Sequence, residues 1–131
     1  MQPCFEKYSD HELFVGCIGF GCPIGWMPQM DKIVTLIETH NNSHPKSGQA
    51  SFAQVKTKFG QLVVYLDPRY PELEDYYFPD DLYTKVNQLA DSCFTICKIC
   101  GVEKIKTVVD SHIRFMCWDH WNERIWHVQK L

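Results

Sequence analysis

The chain has no long hydrophobic run: nothing in its 131 residues approaches the roughly 20 consecutive apolar positions that a membrane-spanning helix needs. The expectation is a protein with no membrane segment. The opening residues, MQPCFEKYSDHE, contain neither the basic nor the apolar stretch of an export signal, which points to the cytoplasm. Positive net charge is also missing, the formal value being −3. Proteins that grip phosphate backbones are usually basic, so this balance argues against a general nucleic-acid binder. There is no repeat, no low-complexity segment and no strand-turn-helix nucleophile elbow. Seven cysteines cannot all pair, and in a reducing compartment closely spaced thiols read as metal ligands rather than bridges.

Apolar residues make up 45% of the chain and aromatics 14%, enough to build a core, so one ordered domain spanning 1–131 is expected. Its charge is uneven. Residues 67–81 (DPRYPELEDYYFPDD) hold six acids and one arginine, whereas residues 98–131 hold six bases against four acids.

Periodicity predicts an α+β body over 16–94 after an irregular lead-in over 1–15. Pro28 opens a helix whose stripe is Met30, Ile33, Val34 and Ile37, fading near residues 40–43. Residues 52–66 (FAQVKTKFGQLVVYL) are rich in β-branched and aromatic types, with Gly60-Gln61 as the turn of a small antiparallel sheet. Asp80 or Asp81 can cap a second packed helix, with Leu82, Val86, Leu89, Ala90 and Cys93 on one face. Residues 104–109 and 113–117 read as a hairpin, and a last helix carries Trp118, Trp121, Ile125 and Val128.

One motif states its chemistry. Cys97-x2-Cys100-x16-Cys117-x2-His120 has three thiols and an imidazole at metal-ligand spacing, with Gly101 closing the first pair as a tight knuckle requires. Sulfur and imidazole nitrogen are the preferred ligands of zinc, and four of them close a tetrahedral structural site with no open position. Cys117 and His120 share one face of a helix, being three residues apart. Knuckle, hairpin and ligand-bearing helix make residues 95–131 a treble-clef-like zinc-binding unit. The expected cofactor is one structural Zn2+, and no enzyme activity is expected.

Other clusters are looser. Cys4, His11, Cys17 and Cys22 could form a second metal site, although buried or surface thiols are the plainer reading; Cys93, on an apolar stripe, reads as core. Cys22 with His11 or His112 would make a nucleophile pair, but no third residue is placed to orient it. The carboxylates of ELEDYY could hold a metal, but beside prolines they read as a solvated loop. His112 and His120 outline a treble-clef nuclease of the His-Me type, yet His120 is better used as a zinc ligand. Lys56 and Lys58 alternate on one strand face beside Gln54, which is either a phosphate- or acid-binding face or the solvent side of a half-buried strand.

Four segments carry a resemblance: CIGFGCPIGW (17–26), QVKTKFGQLVVY (54–65), DSCFTICKICG (91–101) and CWDH (117–120). Together they resemble a family of small, mostly uncharacterised zinc-binding proteins of tailed bacteriophages and prophages, from about Cys17 to His120. The chain has Gly60-Gln61 where that family commonly has Gly-Gly, and a long acidic loop before its second helix. The resemblance implies a phage-encoded protein working in the host cytoplasm. The expected function is binding to a host protein, with Lys56, Lys58, Glu72, Glu74, Asp75, Tyr76 and Tyr77 as the candidate surface, and with inhibition of a defence system such as CRISPR as the outcome. Two alternatives stand beside it: a nucleic-acid-binding zinc module using Lys98, Lys104, Lys106, Arg114 and Arg124, and a metal-dependent hydrolase or nuclease.

Overall fold

A proline in the first turn and an apolar stripe at helical spacing build the first helix. In the computed structural model, which describes residues 7–58, 60–73, 77, 80–101, 106–109 and 113–116 (backbone alone at 80, 94, 106–109 and 113–116), this helix is α1, Met27–Asn42. A 3-10 turn, Ile24–Trp26, leads into it, and Pro28 sits where a missing amide donor costs nothing. Its buried face is Gln29, Met30, Ile33, Val34, Ile37 and Asn41, so the stripe runs one turn beyond its apolar members.

The β-rich segment forms strands β1 (Ala50–Lys58) and β2 (Gln61–Pro68), paired antiparallel from Ala50↔Pro68 to Lys58↔Gln61 with a bulge between Phe52 and Gln54. Gly60 adopts φ 77°, the left-handed conformation the tight turn needs. The hairpin is longer than the 52–66 run expected from residue type. Residues 18–21 lie parallel along the other edge of β1: Ile18 N–H donates to the Ala53 carbonyl at 2.8 Å, Gly21 N–H to Val55 at 2.7 Å, and Val55 N–H to Gly19 at 2.9 Å. Their glycines give no alternating pattern, which hides this edge pairing from sequence periodicity.

The second helix, α2 (Asp80–Asp91), continues into a 3-10 turn, Ser92–Thr95. Leu82, Val86, Ala90 and Cys93 are buried, as the stripe requires, and Leu89 is partly so. The helix starts at Asp80, and Asp81 pairs with Lys85 at 3.4 Å. Tyr83 of α2 ties to β2: its hydroxyl donates to the Leu66 carbonyl at 3.1 Å and accepts the Leu66 N–H at 3.2 Å. Tyr83→Phe leaves both backbone groups unmatched and is expected to cost about 1–2 kcal/mol in urea unfolding.

Trp26, Phe52, Leu13, Met30, Ile33, Ile37, Val55 and Val86 are the large side chains removed from solvent, joining both helices to the sheet. Within the lead-in, Tyr8 and Leu13 are buried, and Phe14 stacks on Phe52 with ring centroids 4.5 Å apart. Farther along, β3 (Lys106–Val109) and β4 (Ile113–Met116) form an antiparallel hairpin from Lys106↔Met116 to Val109↔Ile113. The architecture is α+β, with a two-stranded sheet and two helices in the body. Among the described residues no helix is long and apolar enough to cross a membrane.

Candidate metal centre

The 3-10 turn after α2 delivers the chain into an extended residue, Ile96 (φ −122°, ψ 129°), and the knuckle begins there. Gly101 N–H donates to the Cys97 carbonyl at 2.8 Å, closing the turn, and Gly101 sits at φ +80° where a side chain would be strained. Ile99 N–H points at Cys97 Sγ, 3.4 Å away. A backbone amide aimed at sulfur is an outer contact of the kind that orients a ligand. Cys97 is wholly buried and Cys100 is exposed. Among the described residues no cysteine forms a disulfide.

The body braces this knuckle from outside. Gly25 N–H donates to the Lys98 carbonyl at 2.8 Å, and Trp26 Nε1–H donates to the Ile96 carbonyl at 2.8 Å. A Cβ on Gly25 would lie 2.1 Å from the Cys97 oxygen, so only glycine permits the approach. No local pattern marks this pair, although the Gly-Trp dipeptide closes the CIGFGCPIGW segment.

Two thiols on a closed turn, one accepting an amide hydrogen, fit half of a zinc site by the chemistry of their donors. The other two ligands of the motif, Cys117 and His120, lie outside the described residues; Cys117 directly follows Met116, the last residue of β4. Among the described residues no three metal-binding side chains are gathered. His11, Cys17 and Cys22 of the looser second cluster are thus not gathered as a trio, and its fourth member, Cys4, is outside the described residues. His11 Nδ1 accepts the Leu13 N–H at 3.1 Å and its Nε2 lies 3.4 Å from the Glu38 carboxylate. The Cys17 thiol donates to the Gly19 carbonyl at 3.2 Å, and Cys22 is fully buried.

Cys93 is 2% exposed, and burial, followed by the charge of Asp91, pushes its thiol up from 9.0 to about 12. Its proton is therefore held by the folded chain and lost by the unfolded one between those values. The stability it contributes is full below pH 9 and fades as pH rises towards 12. Urea midpoints should thus fall more steeply above pH 9 in the parent than in Cys93→Ala, and Cys93 should resist alkylation in the native state.

On the candidate binding surface, Lys56 lies over the ring of Tyr65 at 5.6 Å, and Tyr65 is 40% exposed. Lys58 and Glu72 are exposed, and Tyr77 is half exposed with its N–H on the Ser47 carbonyl at 3.0 Å. Glu74, Asp75 and Tyr76 lie outside the described residues, as do His112, Lys104 and Arg124. Lys106 stands opposite Met116 and Arg114 opposite Val108 in the distal hairpin. Comparison of the chain with family models, curated proteins and solved structures finds no match.

Proposed function

We propose that the chain is a small zinc-stapled binding protein, encoded by a tailed phage or prophage, that docks on a host protein and inhibits a defence system. The observation that carries the zinc part is the knuckle: Cys97 and Cys100 on a closed turn, with a backbone amide on the buried sulfur. With Cys117 and His120 the set would be four protein ligands, a treble-clef-like staple that leaves no position for substrate. The bound metal would supply folding energy to the C-terminal unit rather than a reaction step.

The binding part rests on the phage-like motifs and on the surface. The acidic 67–81 segment, with Glu72 and Tyr77 exposed, suits a basic channel on a nucleic-acid-handling target by charge complementarity. Expression in a bacterium with active CRISPR interference should restore plating of a targeted phage, and tagged protein should retain one stoichiometric partner. Unchanged plating across the defence systems tried, with no partner retained, removes this reading. The nucleic-acid reading has less support, because the formal charge is −3. It predicts a mobility shift at low salt, steeply lost as salt rises.

A further inference from the structure

We propose that Gly25 and Trp26 are positioning residues of the metal site: the turn they form is a template that holds the first two ligands in binding geometry. This rests on the zinc reading above and adds residues that no ligand motif contains. The template acts on backbone, not on the thiols. The carbonyls on either side of Cys97, those of Ile96 and Lys98, each accept a bond from the turn, at 2.8 Å from Trp26 Nε1 and 2.8 Å from Gly25 N. The approach is mutual, since a Cβ on Gly101 would stand 3.0 Å from the Gly25 oxygen.

The turn itself is anchored. Trp26 is 1% exposed, is the N-cap residue of α1 and belongs to the central core. The knuckle is therefore fastened to a residue of the hydrophobic core, some seventy residues away in sequence. A ligand pair held this way loses little conformational freedom when metal arrives, which is what raises affinity in a preorganised site.

Geometry sets the size of the effect. With a Cβ only 2.1 Å from the Cys97 oxygen, Gly25→Ala must displace the knuckle by on the order of 1 Å. A shift of that size is several times the about 0.2 Å within which zinc–ligand distances normally fall, so the first pair must leave its parental geometry. Removing an outer-shell support of this kind typically lowers metal affinity about 10- to 100-fold. By reciprocity, metal that binds the fastened knuckle stabilises the body through the same bonds.

The test is titration of the full chain with cobalt(II), followed by zinc competition, in the parent, Gly25→Ala, Trp26→Phe, Cys100→Ser and Ile33→Val. The thiolate-to-cobalt absorption reports the ligand set, and the competition gives affinity. The proposal expects one equivalent bound by the parent and a changed spectrum in Cys100→Ser. In Gly25→Ala and Trp26→Phe the spectrum should match the parent while affinity falls about 10- to 100-fold. Ile33→Val, a core change away from the knuckle, should keep parental affinity. Circular dichroism before metal addition shows which variants are folded; if Gly25→Ala is not, Trp26→Phe decides, since it removes the indole donor and keeps an aromatic ring. Parental affinity in the folded positioning variants overturns the template and leaves the zinc reading standing. An equal loss in Ile33→Val also overturns the template, by making the effect one of general stability. No binding by the parent overturns the zinc reading and the template with it.

Discussion

Trp26→Ala is expected to abolish or nearly abolish folding at 37 °C. Trp26 is 1% exposed and among the largest side chains withdrawn from solvent, so truncation removes its transfer free energy and opens a cavity in the core, worth about 3–5 kcal/mol. The Ile96 carbonyl, which accepts the indole N–H at 2.8 Å, loses that bond, and a buried acceptor left unmatched costs roughly 1–3 kcal/mol more. A domain of this size has about 5–15 kcal/mol in total, so the sum takes most of it. Urea unfolding followed by far-UV circular dichroism checks this. A midpoint within a few tenths molar of the parent would show that the indole does not join the helix to the knuckle.

Asn41→Leu should be almost as damaging, for an unrelated reason. Asn41 is 4% exposed, and its side chain makes a two-way bridge to one residue of β1. Its Nδ2 donates to the Ala50 carbonyl at 2.9 Å, and its Oδ1 accepts the Ala50 N–H at 2.8 Å. Leucine has similar bulk and neither group, so two buried backbone groups at the start of the strand are left unmatched. At roughly 1–3 kcal/mol each the expected loss is about 2–6 kcal/mol, visible as a drop in melting temperature on the order of 10 °C. Asn41→Asp keeps the acceptor but sets a carboxylate against the Ala50 carbonyl, so it should not rescue at neutral pH. A melting temperature unchanged in Asn41→Leu would mean the bridge is replaced by water.

Asn41 also shows where sequence legibility ends. Met30, Ile33, Val34 and Ile37 announce α1 by spacing, and the same arithmetic carries Leu82, Val86, Ala90 and Cys93 into α2. The next position of the first stripe is a polar residue, so periodicity reads it as the helix fading. In the fold it is buried because its amide matches both polar groups of Ala50. The hairpin β1–β2 was legible from residue type, whereas the pairing of residues 18–21 with β1 was not, because glycine has no side chain to alternate.

The candidate site divides in the same way. Cys97, Cys100 and Gly101 stand out in the sequence because a metal-binding knuckle would need that local spacing and a closing residue at positive φ, which Gly101 has. The contribution of Gly25 and Trp26 was not, because it depends on a contact across some seventy residues that no local pattern encodes. The packing of the lead-in is hidden for a related reason: Tyr8 meets Phe20 and Phe14 stacks on Phe52, contacts that no local pattern encodes.

The most direct test of the account is the metal content of the protein purified from zinc-replete cells without chelator, compared between the parent and Cys100→Ser. Cys100 is exposed and its side chain is not part of the core, so serine there should change ligation and little else. The account predicts one equivalent of zinc per chain in the parent and well below one in Cys100→Ser. A folded parent carrying no zinc, or a Cys100→Ser variant retaining a full equivalent, would contradict it.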